Sequence, residues 1–377
     1  MTISVAAALR RLNRMARPAR MARKTRSVQS AMAGLMMAPL TAFKPKVAKP
    51  RKTATQKSSG TLGAVLKRLK AMQPLMPRAR SGPSASGATP VVPQGAKFQT
   101  RTHRHAAGSR GYKLYLPASH PGQPKGLILM LHGCNQSPDD FALGTHMNAL
   151  AEKHGLAIAW PAQTGRQNAA QCWNWFKPGD QMRGAGEPAI LATLARKLGR
   201  ELGVARDATF VAGLSAGGAM AAILADVYPD VFAAAGIHSG LARGAARDVV
   251  SAMAAMRNGG TSPGASPSGI AHPHPVRRIV FHGDADRTVH PSNAAMIVSA
   301  SVGGAAAPVR VGKRSVRGRG YVRSDYAGAD GAVMLELWML DGAGHAWSGG
   351  RNAGSYTDRT GPDASAQMIR FFLAKPA

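Results

Sequence analysis

Acidic residues are scarce in this chain. Its 377 residues hold 18 Asp+Glu against 49 Lys+Arg, a formal net charge of +31. At the N-terminus the shortage is complete: residues 1–100 carry 20 Lys+Arg and no acid, leaving 29 Lys+Arg against 18 acids in the rest. Aromatics make up only 5% of the chain. Long apolar runs are missing as well: no stretch approaches the ~20 apolar residues that span a bilayer, which excludes a membrane-spanning helix. The nearest candidate for a signal core, Ala31 to Phe43, follows a long basic lead and lacks a small-x-small cleavage site, and Arg10-Arg11 is a poor twin-arginine match. Two cysteines, Cys134 and Cys172, exclude a disulfide-rich scaffold. Taken alone they fit either a disulfide made in an oxidising compartment or two reduced, buried thiols. No repeat of 20–50 residues is apparent, which excludes a solenoid.

The basic first hundred residues, rich in Ala, Pro and Ser, bury too little apolar surface to offset the entropy of ordering them. They are expected to form a disordered tail, with a short amphipathic helix over Gly63 to Met72 and a linker over Arg78 to Gln94. Such a tail fits an anionic partner such as nucleic acid, anionic lipid or a polymer granule; the plain alternative is a solvated, solubilising segment. The expected division is a tail over 1–100 and a catalytic domain over 101–377.

What the chain does have is Thr209-Phe210-Val211-Ala212-Gly213-Leu214-Ser215-Ala216-Gly217-Gly218-Ala219-Met220. A β-prone apolar run enters Gly-x-Ser-x-Gly and an Ala-rich helical run leaves it, the layout of a nucleophile elbow. Two further strand-end turns follow in the order Ser, Asp, His. One is Phe281-His282-Gly283-Asp284-Ala285-Asp286, the other Leu340-Asp341-Gly342-Ala343-Gly344-His345-Ala346-Trp347. Upstream, Leu127 to Leu131 runs into His132-Gly133-Cys134-Asn135-Gln136, where the second oxyanion donor of an α/β-hydrolase would sit.

Between these turns the pattern alternates. Strands are expected at Gly111–Leu116, Leu127–Leu131, Leu156–Trp160, Thr209–Leu214, Phe232–His238, Arg277–Phe281, Tyr321–Tyr326 and Val333–Leu340. Helices are expected at Phe141–His154, Pro188–Leu202, Ala216–Val227 and Ala364–Leu373. Continuously apolar strands separated by helices predict a mostly parallel sheet covered on both faces, an α/β-hydrolase fold. Leu241 to Pro275 reads as an excursion above the sheet, where lids and substrate walls are found.

A serine hydroxyl needs a base within hydrogen-bond reach before it can attack. Ser215 is the candidate nucleophile and His345 the candidate base; His132, His238 and His282 are the competing strand-end histidines. The acid is Asp286 or Asp284, with Asp286 favoured and Asp284 read as a turn residue; its task is to fix the imidazole tautomer and stabilise the imidazolium. Backbone N–H groups of Ala216 and of the Gly133-Cys134 turn are the candidate oxyanion donors. Asn135 and Gln136 offer polar contacts to an ester, and Trp173, Trp175 and Trp347, with Trp160, read equally as an aromatic substrate platform or as core. Nothing in this set calls for a metal or a cofactor.

These segments, with Cys172-Trp173-Asn174-Trp175-Phe176 and Gly344-His345-Ala346-Trp347-Ser348-Gly349-Gly350, resemble the esterase family of poly(3-hydroxybutyrate) depolymerases, relatives of feruloyl and acetylxylan esterases, over about residues 108–375. The resemblance implies an α/β-hydrolase fold and a serine carboxylesterase acting on a short-chain polyester or related ester. By position it implies Ser215 as nucleophile, Asp286 as acid, His345 as base and the Cys134 N–H as an oxyanion donor. It also implies that Cys134 and Cys172 pair, and that the protein is secreted, against which the tail suggests an intracellular, granule-associated protein. The rival readings are a plant-wall phenolic or acetyl esterase on the same scaffold, and a binding protein tethered by its tail to granules, membrane or nucleic acid.

Overall fold

Three largely apolar hexapeptides of the sequence become the central strands of the fold. A computed structural model describes residues 89–260, 275–302, 307–328 and 330–374. The expected tail helix over 63–72, most of the linker and the 261–274 part of the excursion lie outside the described residues. In chain order the strands of the main sheet are β1 (Lys97–His105), β2 (Gly108–Leu116), β3 (Gly126–Leu131), β4 (Leu156–Pro161), β5 (Thr209–Leu214), β6 (Ala234–His238), β7 (Arg277–Gly283), β8 (Arg310–Val316), β9 (Arg319–Ala327) and β10 (Val333–Leu340). They form one sheet in the order β1-β2-β4-β3-β5-β6-β7-β10-β9-β8. The six strands from β4 to β10 run parallel, and antiparallel pairs extend both edges. The helices are α1 (Pro138–Thr145), α2 (Met147–His154), α3 (Gly186–Leu202), α4 (Ala216–Val227), α5 (Val249–Asn258), α6 (Ser292–Val302) and α7 (Ala364–Leu373). Among the described residues no helix is long and apolar enough to cross a membrane.

Every residue of β3, β4 and β5 is buried, as parallel strands are when helices cover both faces. On one face Leu191 and Leu198 of α3, Ile223 of α4 and Ile297 of α6 close a core with Leu129 and Val211. On the other, Phe141 of α1, Met147 of α2 and Met368 and Phe372 of α7 close a second core with Ile128 and Phe210; Phe372 stacks on Phe210 at 4.9 Å between ring centroids.

Several expectations are corrected. The single helix expected over Phe141–His154 is two helices, broken at His146 with φ 51°. Its last carbonyls are diverted: that of Gly144 accepts the N–H of Arg351 at 2.8 Å. The sheet starts at Lys97, inside the segment expected to be tail, because β1 pairs along its whole length with β2. Strand β8 and helices α5 and α6 are additional; α5 lies in the expected excursion.

Candidate active site

Strand β5 ends at Leu214 and α4 begins at Ala216, so Ser215 alone makes the turn. It does so at φ 57°, ψ −119°, a region a serine enters only when its surroundings force it, at a cost of about 1–3 kcal/mol. The two glycines allow the squeeze. A Cβ on Gly213 would lie 2.3 Å from the carbonyl carbon of Gly217, and one on Gly217 would lie 2.0 Å from the Leu131 oxygen. The Ser215 N–H donates to the carbonyl of His238 at 2.9 Å, which pins the turn to β6. Ser215 is 8% exposed.

The β7 turn presents two carboxylates with different fates. Asp284 Oδ1 accepts the N–H of Gly342 at 2.6 Å, tying this turn to the next. Asp286 is buried; its Oδ1 accepts the N–H groups of Thr288 and Val289, both at 2.9 Å. Its Oδ2 accepts Nδ1–H of His345 at 2.7 Å. Burial pushes the Asp286 carboxyl up, but the hydrogen bonds it accepts from His345 and the Val289 N–H more than reverse this and hold it below the usual range. His282 Nε2–H donates to the Val289 carbonyl at 2.9 Å and lies 3.6 Å from Asp286 Oδ2, so it braces the acid turn from below.

The β3 turn lies beside the serine: a Cβ on Gly133 would sit 3.7 Å from that of Ser215. Gly133 N–H donates to Gln136 Oε1 at 2.9 Å, and Gln136 Nε2 donates to Asp140 Oδ2 at 2.9 Å and the Ser355 carbonyl at 3.1 Å. Cys134 and Cys172 form a disulfide, and Asn135, exposed at φ 59°, donates its N–H to the Ala170 carbonyl. Beneath the turn, His132 Nε2 accepts the Gln163 N–H at 3.0 Å and the His132 carbonyl accepts Trp173 Nε1–H at 3.0 Å. Burial drives the His132 pKa down to about 4.

Ser215, Asp286, His345, Ala216, Cys134 and Asn135 therefore stand on turns at the C-terminal edge of one sheet. The structure corrects the expectation for Gln136 and decides the open alternative for the tryptophans. Gln136 is buried and its amide braces the turn, so it faces no ester. Trp173, Trp175 and Trp347 are 0%, 5% and 1% exposed; they are core, because the strand-end loops fold back over them. Trp160 is likewise buried, its Nε1–H on Asn148.

Sequence reasoning missed Glu187. Buried at the start of α3, it accepts from the Asn174 N–H at 2.7 Å, Asn174 Nδ2 at 3.0 Å and Gln163 Nε2, and pairs with buried Arg110. Burial raises its pKa against the opposing charge of Arg110. One carboxylate thus anchors the loop that carries Cys172. Nothing in its sequence neighbourhood marks it, since its partners come from β2, the loop after β4 and the disulfide loop.

A mostly parallel sheet whose central strand turns sharply through a serine into a helix is an α/β-hydrolase-type scaffold. The chain belongs to the PHB depolymerase esterase family: the family model described as "Esterase PHB depolymerase" matches residues 110–309. It is 29% identical over 238 residues to poly(3-hydroxyalkanoate) depolymerase C of Paucimonas lemoignei, covering 61% of this chain and 56% of that protein. A poly(3-hydroxybutyrate) depolymerase of Ralstonia pickettii is 33% identical over 116 residues, 28% of this chain and 23% of that protein. The chain thus spans about half the length, or less, of these relatives. Among solved structures, the acetyl xylan esterase from Aspergillus awamori superposes with a TM-score of 0.59 at 20% identity, over 73% of this chain and 98% of that one; this likeness shows the fold.

Proposed function

We propose that the protein hydrolyses poly(3-hydroxybutyrate)-type polyesters or their oligomers through an acyl-enzyme on Ser215. The observation that carries this reading is the 2.7 Å hydrogen bond from His345 Nδ1–H to Asp286 Oδ2, on the sheet edge that carries the elbow serine. That bond leaves Nε2 as the basic nitrogen of a neutral imidazole. Nε2 takes the Ser215 proton as Oγ attacks the ester carbonyl, and Asp286 stabilises the imidazolium. The N–H groups of Ala216 and Cys134 hold the oxyanion, a contribution of about 2.7–4 kcal/mol per donor in comparable enzymes. The alcohol leaves with the proton from His345. Water, deprotonated by the same nitrogen, then releases the acid and regenerates Ser215. Asn135, exposed beside the oxyanion turn, is the polar group best placed to meet the substrate.

The names of the curated relatives favour a hydroxyalkanoate polyester over a plant-wall ester. The Cys134–Cys172 disulfide fits an oxidising, extracellular setting. The basic tail is assigned as a tether to an anionic surface or polymer granule.

Rates of wild type and Ser215→Ala on p-nitrophenyl butyrate, 3-hydroxybutyrate oligomers and methyl ferulate test this. Wild type should prefer the hydroxybutyrate oligomers, and the variant should lose about 10⁴-fold or more while staying folded. Residual wild-type activity in the variant overturns the mechanism. A preference for ferulate keeps the mechanism and replaces the substrate.

A further inference from the structure

His238 is a histidine that the mechanism leaves unused, yet it contacts the nucleophile turn, the strand that carries the acid turn and the base loop. It closes β6, between the nucleophile strand and the acid strand, and is fully buried. Its carbonyl accepts the Ser215 N–H at 2.9 Å. Its ring stacks on Phe281 of β7 at 5.7 Å and on Trp347 of the base loop at 5.1 Å, with interplanar angles of 12° and 25°. Its Nε2 accepts the N–H of Ser348, three residues beyond His345, at 3.1 Å. Accepting at Nε2 fixes the proton on Nδ1, which donates to Ser239 Oγ at 3.2 Å. Ser239 N–H in turn donates to the Phe281 carbonyl at 2.9 Å. Of the other strand-end histidines, His282 bonds within the acid turn, and His132 joins the oxyanion turn to Gln163 of the loop after β4.

We propose that His238 is a positioning residue, which holds the base loop in register with the nucleophile strand through the acceptor its Nε2 offers to Ser348. The proposal rests on the Ser215–His345–Asp286 reading above. The base loop has further anchors that do not depend on His238. Trp347 N–H donates to the Tyr356 carbonyl at 2.7 Å, Trp347 Nε1–H to Ser365 Oγ at 3.0 Å and Ser348 Oγ–H to the Pro362 carbonyl at 2.7 Å. Removing the Nε2 acceptor therefore leaves the loop attached while the buried Ser348 N–H seeks a new partner. Such a shift carries His345 with it, and a displacement of about 1 Å at a reacting group costs up to about 100-fold in rate. Substrate binding, which does not involve the buried ring, is left alone. Burial keeps the imidazole neutral by driving its pKa down to about 3, so the acceptor persists through the working pH range.

The test compares His238→Phe, which keeps a flat stacking ring and loses the acceptor, with His238→Gln, whose Oε1 reaches toward Ser348. On p-nitrophenyl butyrate the Phe variant should lose about 10- to 100-fold in kcat with KM within about threefold of wild type. The Gln variant should recover to within about fivefold of wild type. Wild-type kcat in the Phe variant overturns the proposal, as does a Gln variant no better than the Phe one. If the Phe variant does not fold, His238→Asn replaces it, since its amide reaches Ser239 but not Ser348; the same kcat loss is expected. Failure of both to fold, with Gln native-like, assigns the ring a structural role and overturns the positioning one. Ser215→Ala, assayed alongside, separates these outcomes from a failure of the underlying mechanism.

Discussion

At the residue scale, the site depends on imidazoles kept in chosen tautomers. His345 donates to a carboxylate, whereas His132, His238 and His282 are buried and neutral: burial lowers all three pKa values, to about 4 for His132 and about 3 for His238. In the unfolded chain the same side chains titrate near 6.5. Below that pH the unfolded state takes up protons that the folded state refuses, so stability is full above about 6.5 and falls as the pH drops toward the folded values. The slope is roughly 1.4 kcal/mol per pH unit for each histidine that remains neutral in the fold. Asp286, held below its usual range, adds to the loss at still lower pH, because its contribution disappears as it is protonated. Urea unfolding at pH 7.5, 6 and 5 should show the midpoint falling at each step. A flat profile over this range means that the histidines are hydrated or charged in the folded state.

The elbow is the element that sequence described best. Gly-x-Ser-x-Gly between an apolar strand and an Ala-rich run specified β5, the turn and α4 together, because their spacing reflects local sterics. Gly217 shows the margin: its hydrogen replaces a Cβ that would lie 2.0 Å from the Leu131 oxygen. Gly217→Ala must push α4 away from β3, and overpacking of this kind costs about 1–3 kcal/mol or more. A lowered melting temperature together with a loss of esterase activity is expected. An unchanged melting temperature contradicts the packing described. The tryptophan turns were less legible. Trp173 and Trp347 stand beside motif residues in the chain, but whether a strand-end aromatic points outward or back into the core depends on the loop above it. The edge strand β8 was not legible either: exposed Arg310, Lys313 and Arg314 give it no apolar alternation, yet the same cations suit an edge that must not pair with another chain.

For the molecule as a whole, charge divides the chain more sharply than length does. The rest of the chain has acids with which to pair cations, as in Arg183–Asp230 and Arg319–Asp358, whereas residues 1–100 hold no acid with which to balance theirs. If the tail is the tether, the full chain should bind anionic vesicles or heparin with steep salt dependence, as multi-cation contacts do. A chain lacking residues 1–88 should then lose that binding and keep its kcat on a soluble ester. Equal retention of both chains rules the tether out.

The order Ser, Asp, His, the parallel sheet and the esterase family were all readable from sequence, because each is written in local runs: apolar strands, glycine turns and one residue at each strand end. The partnership of Asp286 rather than Asp284 with His345, the burial of Gln136 and the tryptophans, and the roles of Glu187 and His238 were decided only by tertiary structure. Each depends on groups brought together from distant strands, and a buried polar atom acquires its function from whichever partner the fold sets within hydrogen-bond reach.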